Sequence, residues 1–196
     1  MQFDRRKFAA VVHHVCNVCD PHELGAVKLH KVLYYSDMLH YAAHGHPITG
    51  ATYRRRQFGP MAAPLMSTLR DLQKEGVVEE RQVPYYGYLK REYVSLTDPD
   101  TSPLSQAELS LINEMIDFVC RRHTAKEISD VSHNKAWELA RPGEELPYHT
   151  VFLMFPSDIP EETLEQAHTE VRAIAASGSR PDSVRSGNIR ALRGGV

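Results

Sequence analysis

The stretch that decides the fold is KLHKVLYYSD, residues 28–37. Leu29, Val32 and Leu33 form an apolar stripe at helical spacing, and Tyr34 and Tyr35 widen it. A helix with so wide an apolar face cannot lie on a surface, because most of its circumference must be removed from water. The stretch therefore predicts a central helix that is buried on most sides.

The limits of this helix are predicted from capping signals. Asp20-Pro21-His22-Glu23 combines a capping Asp, a Pro at the first helical position and a Glu three residues after the Asp. We therefore expect the helix to begin at Asp20 and to run to about Ala43, with Gly45 ending it. An earlier helix is expected from Asp4 to about Val18.

The segment after the central helix alternates between helical and extended patterns. Residues 48–58 predict an extended arm or short strand, and Gly59-Pro60 is expected to begin a helix that Gly76 ends. Residues 77–83 and 92–96 predict two strands of a hairpin. A helix followed by a hairpin is a winged-helix-like arrangement.

Two capping boxes mark the second half of the chain, Ser105 with Glu108 and Thr124 with Glu127. Ser132 is expected to cap a further short helix that carries Trp137.

The remaining segments carry weaker signals. Residues 148–155 predict a strand or a segment that crosses the core, and residues 160–176 predict a last helix. Residues 177–196 are rich in Ser, Gly and Arg, which predicts a disordered basic tail. Together the patterns predict a mainly α (α+β) protein, a compact multi-helix domain over residues 1–176 with a small β-hairpin or winged-helix-like element.

Length and charge limit the function classes. The chain has 196 residues and a formal net charge of -2, so no overall excess of positive charge favours nucleic acid. The helix predicted after Gly59 offers Arg70 and Lys74 but also Asp71 and Glu75, which makes DNA an unfavourable partner. No apolar run approaches a membrane span and no signal-type run follows the first residues, so we expect a cytoplasmic protein.

A metal site is considered because Cys16-x-x-Cys19 follows His13 and His14. A structural zinc site needs four ligands, and a second CxxC pair is missing from the sequence. Cys120 and His123 could complete the set only if the fold brings them close. Buried, unreactive cysteine is the expected alternative, and we expect no metal and no cofactor.

A hydrolytic triad is considered for Asp130, Ser132 and His133. Triads are recognised by geometry and not by proximity in sequence, and Ser132 at a helix junction is explained by capping. Because no phosphate-binding glycine loop or nucleophile elbow is present in the sequence either, we expect a protein that is not an enzyme.

The run Arg54-Arg55-Arg56 lies between Tyr53 and Phe58. It is either a solvated arm or a contact surface, since arginine and aromatic residues are enriched at protein interfaces. These five residues are the predicted partner-binding set.

Several of these segments together resemble one family. Residues 28–37 resemble the Lys-Leu-x-Lys-Leu-Leu-Tyr-Tyr signature of the Panacea domain, also called the SocA-like antitoxin domain. Three further elements follow in the family's order: Gly45-x-Pro47-Ile48, Thr52-Tyr53 through Phe58-Gly59-Pro60-Met61, and Ser132-His133 with Trp137. The motif positions are Lys28, Tyr34, Tyr35, Tyr53, Gly59, Pro60, His133 and Trp137, most of which we interpret as structural. The three consecutive arginines are a departure from the family's pattern.

The resemblance implies a bacterial or prophage antitoxin of a toxin–antitoxin system. It implies neutralisation of a cognate protein toxin, encoded by an adjacent gene, through direct protein–protein interaction. A proteolytic adaptor that delivers the toxin to a protease is one form of this role, and self-association is another expectation. The alternative that the residues themselves leave open is a winged-helix-like DNA-binding transcriptional regulator.

Overall fold

The computed structural model of the chain describes residues 2–85, 87–154 and 169. The chain divides into two compact units, residues 1–155 and residues 156–196. Thr169, the described residue of the second unit, is helical. The predicted helix over residues 160–176 and the predicted tail over residues 177–196 otherwise lie outside the described residues, and both stay predictions.

Helix α1, Arg5–Val18, lies where the sequence predicts it. The Asp4 side chain caps it by accepting a hydrogen bond of 2.9 Å from the Lys7 amide. Its inner face buries Phe8, Val11, Val12 and Val15. Removing such side chains from water is the main force that holds the helix against the core.

Helix α2, Ala26–His44, is the central helix of the fold. It is buried without a break from Lys28 to Met38, as its sequence predicts. Gly45 ends it in the left-handed region with a φ of 77°, and its amide donates to the Tyr41 carbonyl.

The predicted start of α2 at Asp20 is wrong. Asp20 instead closes a turn, in which its side chain accepts from the His22 amide at 2.8 Å and its carbonyl accepts from the Glu23 and Leu24 amides. The extended backbone of Gly25, with a ψ of 174°, separates this turn from α2. A capping signal can end in a single turn when the next residues do not continue the helix.

Strands β1, Tyr53–Arg56, and β2, Gly59–Ala62, form an antiparallel hairpin. This confirms the expected strand before Phe58, but the prediction that Gly59-Pro60 begins a helix is wrong. Gly59 has a φ of 90°, a left-handed conformation that a right-handed helix does not use. The next helix, α3, begins six residues later and spans Leu65–Lys74.

Strands β3, Val78–Tyr85, and β4, Tyr88–Ser95, form the second hairpin. The predicted pair of strands is confirmed, and each strand is longer than predicted. The Leu96 amide donates to the Val77 carbonyl at 2.9 Å and closes the base of the hairpin.

Both predicted capping boxes are present. Ser105 and Glu108 open α4, Gln106–Ile116, and Thr124 and Glu127 open α5, Ala125–Val131. Helix α4 continues as a π-helical turn, Asp117–Arg121. A capping box involves only residues within one helical turn, so it forms with little dependence on the tertiary contacts of the chain.

The short helix α6, Lys135–Leu139, carries Trp137 but is not capped by Ser132. Asn134 caps it instead, because its side chain accepts from the Trp137 amide at 3.2 Å. Ser132 ends α5 and its hydroxyl donates to the Ser129 carbonyl at 2.7 Å.

The last described element is a 3₁₀ helix, Tyr148–Leu153, so the prediction of a strand over residues 148–155 is wrong for the described part. The arrangement confirms the mainly α (α+β) class with small hairpins. None of the helices in the described ranges is long and apolar enough to cross a membrane.

Candidate partner-binding surface

The β1–β2 hairpin is bonded along both of its outer edges. On the β1 side, the segment Gly143–Leu146 runs alongside the strand. The Arg55 amide donates to the Glu144 carbonyl at 2.8 Å, the Gly143 amide to the Arg55 carbonyl at 2.9 Å, and the Leu146 amide to the Tyr53 carbonyl at 2.8 Å. This segment therefore lies beside β1 like a third strand and occupies its outer edge.

On the β2 side, two side chains of α2 take the place of a neighbouring strand. Lys31 Nζ donates to the Phe58 carbonyl at 2.6 Å and to the Pro60 carbonyl at 3.0 Å. His30 Nδ1 accepts from the Ala62 amide at 3.1 Å. Burial, together with the Lys31 charge, lowers the pKa of His30 to about 3, so the ring stays neutral and can accept this bond.

Lys31 and Ser132 enclose Gly59. A Cβ atom on Gly59 would lie 2.1 Å from Ser132 Oγ and 2.6 Å from Lys31 Nζ, so only glycine fits between them. Burial of the Lys31 amine lowers its pKa to about 7. The hairpin turn at Gly59 is thus packed against Lys31 of α2 and Ser132 at the end of α5.

Tyr53 belongs to the core and not to the surface. It is 1% exposed, and its hydroxyl donates to Asp37 Oδ2 at 2.9 Å and bonds to the Leu33 carbonyl at 2.8 Å. Its expected role as a partner-facing residue is therefore wrong in this structure. Tyr53 instead fixes the start of β1 against α2.

Arg55, Trp137 and His133 form a stack beside the hairpin. The Arg55 guanidinium lies 4.0 Å above the Trp137 ring, and His133 stacks on the indole at 3.8 Å and an interplanar angle of 20°. Trp137 Nε1 donates to the Arg56 carbonyl at 3.0 Å, and Arg55 also donates to the Ala140 carbonyl. The stack holds the Arg55 side chain in one position.

Arg54, Arg56 and Phe58 are exposed beside this stack, and Phe58 is 55% exposed at the hairpin turn. Within the described part of the chain, none of the three arginines pairs with a carboxylate, and the guanidinium groups of Arg54 and Arg55 donate to backbone carbonyls. We call Arg54, Arg55, Arg56, Phe58 and Trp137 the Arg–Trp surface. It combines unpaired positive charge with exposed aromatic area on a backbone that is bonded on both sides.

Comparison with family models identifies the chain. The model described as "Antitoxin SocA-like, Panacea domain" matches residues 29–138, more than half of the chain. The chain belongs to this Panacea domain family. Searches of curated proteins and of solved structures return no match.

The motif positions of the Panacea domain lie in its interior or against it. Tyr34 is fully buried and packs edge-on against Tyr35 and Tyr53, with ring centroids 5.4 Å apart in both pairs. Buried Lys28 donates to the Cys120 carbonyl at 2.9 Å and pairs with Glu23 at 3.0 Å. Pro60 is buried in β2. These positions hold the hairpin and the π-helical turn to α2.

Sequence reasoning missed three contributors to the site. Asp37 accepts the hydroxyl hydrogen bonds of Thr49, Tyr53 and Tyr148, and Asn134 caps the helix that carries Trp137. The segment Gly143–Leu146 was not assigned a role. Asp37 lies two residues after Tyr35, and an aspartate in a helix predicted to be buried on most sides is the one signal that could have revealed it.

A cavity of about 280 Å³ opens beside Asn134, the N-cap residue of α6. Its lining residues are mostly apolar: Tyr35, Leu39, Met115, Phe118, Val131, Asn134 and Met154. Among the described residues, the Tyr35 hydroxyl is buried without a hydrogen-bond partner. Asn134 lines the cavity, and its Oδ1 caps α6, the helix that carries Trp137.

The structure brings Cys19 and Cys120 together, but it does not complete the metal site or the triad considered from the sequence. Among the described residues no group of three or more His, Cys, Asp or Glu side chains could hold a metal ion. Cys16, Cys19 and Cys120 are buried free thiols. Ser132 donates to a backbone carbonyl and His133 stacks on Trp137, so the two side chains are held by other contacts.

The winged-helix-like element of the Panacea domain carries charge of both signs. Helix α3 exposes Arg70 and Lys74, and its Asp71 pairs with Arg5 at 2.7 Å. On the second hairpin Arg81 pairs with Glu79 at 2.6 Å. A recognition element for DNA needs a surplus of positive charge toward the phosphates, which this mixture does not supply.

Proposed function

We propose that this Panacea domain neutralises a cognate protein toxin by binding it directly through the Arg–Trp surface, without catalysis. The family membership supports an antitoxin role in general. The observation that carries the finer proposal is the set of three adjacent arginines without a carboxylate partner in the described residues. Such charges are available to a partner at no cost in broken ion pairs.

The surface is also rigid, which favours tight binding. Arg55 is held between the Trp137 ring and the Ala140 carbonyl, and the backbone beneath it is bonded to Gly143–Leu146 and to β2. A side chain that is already ordered loses little entropy on binding. Arginine and aromatic residues in such a setting are typical of the residues that dominate interface energies. We expect the toxin to present carboxylates around an apolar contact for Phe58.

The first experiment is co-expression with the adjacent gene. We expect that gene's product alone to stop growth, and this chain to restore growth and to co-purify with it. A harmless neighbour that forms no complex would contradict the antitoxin proposal and leave a shared fold with another role.

The site itself is tested by charge reversal. The double variant Arg54→Glu, Arg56→Glu should weaken toxin binding about 100-fold, which corresponds to about 2.7 kcal/mol, with little change in the free energy of unfolding. Affinity is measured by calorimetry and stability by urea unfolding.

The matched control is Arg70→Glu, Lys74→Glu on α3, which makes the same change in net charge on another exposed element. We expect it to change toxin affinity by less than about threefold. Equal losses in the two double variants would mean that overall charge, and not the Arg–Trp surface, governs binding. Salt-dependent promoter binding that only the α3 variant abolishes would support the transcriptional regulator instead.

Blocking and delivery to a protease differ in the fate of the toxin. If the domain only blocks, the toxin should disappear at the same rate in cells with and without the antitoxin after protein synthesis is stopped. If it acts as a proteolytic adaptor, the toxin should disappear faster when the antitoxin is present. Immunoblotting of the toxin over time distinguishes the two forms of the proposal.

A further inference from the structure

Cys19 and Cys120 are 101 residues apart in the chain, yet their sulfur atoms lie 3.2 Å apart. Cys19 follows the last residue of α1, and Cys120 lies in the π-helical turn after α4. Both are free thiols, 5% and 3% exposed. The contact joins two elements that are otherwise distant in sequence.

We propose that Cys19 and Cys120 form an oxidation site, at which a peroxide converts the two thiols into a disulfide that ties α1 to the π-helical turn. A disulfide has an S–S distance of about 2.05 Å, so the sulfurs must approach by about 1 Å. A π-helical turn is a local irregularity of a helix and is often found where a side chain has a special role. The site is independent of the Arg–Trp surface.

The reaction balances with one molecule of hydrogen peroxide. The Cys120 thiolate attacks the peroxide, so that an S–O bond forms, the O–O bond breaks and hydroxide leaves to take up the thiol proton as water. The Cys19 sulfur then attacks the Cys120 sulfur, so that the S–S bond forms and the S–O bond breaks. The second water leaves with the Cys19 proton. Two thiols are oxidised and one peroxide is reduced to two waters.

The surroundings favour Cys120 as the first thiol to react. Cys19 Sγ donates toward Cys120 Sγ, and the Lys28 ammonium is bonded to the Cys120 carbonyl at 2.9 Å. The sulfur contact and the nearby positive charge lower the pKa of the Cys120 thiol, and the same contact raises the pKa of Cys19.

The oxidant reaches the pair from the end of α1. Cys19 lies between exposed Val18 and Asp20 at the C-terminal end of α1. The last turn of a helix opens at low cost compared with global unfolding. A molecule as small as hydrogen peroxide can enter through such an opening.

The test uses the full chain, purified reduced and treated with a small excess of hydrogen peroxide. We expect a loss of about 2 Da in intact mass and a Cys19–Cys120 cross-linked peptide after non-reducing digestion. Cys19→Ser and Cys120→Ser should both fail to form it. Far-UV circular dichroism checks their folding, and Cys19→Ala replaces Cys19→Ser if the serine variant unfolds.

Cys16→Ser is the matched control, because Cys16 is also buried in α1 but makes no recorded sulfur contact within the described residues. It should cross-link like the wild type. Separate sulfinic acids without a cross-link, a cross-link to Cys16, or no reaction would each overturn the proposal. The oxidised wild type should also unfold at a higher urea concentration than the reduced form, since the bond closes a long loop. Equal midpoints would mean that the bond does not tie the two elements together.

Discussion

At the scale of single residues, Lys31 shows how a charged side chain can serve as part of a sheet edge. It is 0% exposed, and its amine donates hydrogen bonds to two carbonyls of the β1–β2 hairpin. The energetic cost of burying the amine is reflected in its pKa of about 7, well below the ordinary value of 10.5.

This pKa predicts a pH dependence of stability. Between the folded and unfolded pKa values the unfolded chain binds a proton that the folded chain does not, so the free energy of unfolding should rise with pH. We expect a rise from about pH 7 to about pH 8, before most cysteine thiols of the unfolded chain ionise with a pKa of about 8.5. Urea unfolding across this range should show a flatter dependence for Lys31→Met. Exposed Lys135→Met is the control, and equal slopes in both variants would contradict the role of Lys31.

Trp137 is half-buried and stacks with both Arg55 and His133, so its removal should affect stability and binding together. Complete burial would predict a loss of about 3–5 kcal/mol for Trp137→Ala, and half burial reduces the expected loss to about 2 kcal/mol. We expect weaker toxin binding as well, because Arg55 loses its support. Leu139→Ala in the same helix, where Leu139 is 66% exposed, should change neither quantity appreciably. Unchanged binding in Trp137→Ala would remove the stack from the site.

At the scale of elements, the sequence predicts what is decided locally. The capping boxes at Ser105 and Thr124 and the helix stop at Gly45 depend on neighbours within a few residues, and all three are confirmed. Strand β2 could not be predicted, because its outer edge is bonded by His30 and Lys31 from the preceding helix. A Gly-Pro pair carries no sign of such distant partners.

Gly59 provides a test of this element. Gly59→Ala would combine a positive φ with a clash against Ser132 and Lys31, so we expect a loss of more than about 3 kcal/mol in the free energy of unfolding. Gly76 also has a positive φ, of 71°, but nothing lies within 4 Å of its added Cβ. Gly76→Ala should therefore cost only about 1 kcal/mol. Similar losses in the two variants would show that the close packing around Gly59 is unimportant.

At the scale of the whole molecule, Asp37 connects elements from across the first unit. Its carboxylate accepts from the Thr49 amide at 2.8 Å and from the hydroxyls of Thr49, Tyr53 and Tyr148. Through these bonds α2 holds the loop after it, the start of β1 and the 3₁₀ helix. Burial raises the pKa of Asp37, while these hydrogen bonds act in the opposite direction.

Asp37→Ala should therefore destabilise the whole unit. It removes the acceptor of the buried Thr49 amide and hydroxyl and one of the two acceptors of the Tyr53 and Tyr148 hydroxyls. We therefore expect a loss of about 3 kcal/mol or more, measured by urea unfolding. Asp130→Ala is the control, because Asp130 is exposed and its pair with Lys126 is a surface ion pair. The control should lose less than about 0.5 kcal/mol. A comparable loss in both variants would contradict the connecting role of Asp37.

The candidate site was only partly predictable, because sequence patterns report contacts between near neighbours and not contacts between distant residues. The arginine run and Phe58 are visible in the sequence because charge and aromatic residues next to each other are a local pattern. The stack on Trp137 and the edge formed by Gly143–Leu146 depend on residues more than 80 positions away, as in the 81-residue separation of Trp137 and Arg56. No local pattern contains that pairing.

The closed edges of the first hairpin have a consequence for how partners can change over time. A partner cannot pair its own strand directly with β1 or β2, since Gly143–Leu146, His30 and Lys31 already occupy main-chain groups that such a strand would need. Recognition is left to the side chains that stand on the hairpin. Those side chains can be exchanged one at a time while the backbone beneath them keeps its shape, so the same scaffold can acquire a new target through a few surface substitutions.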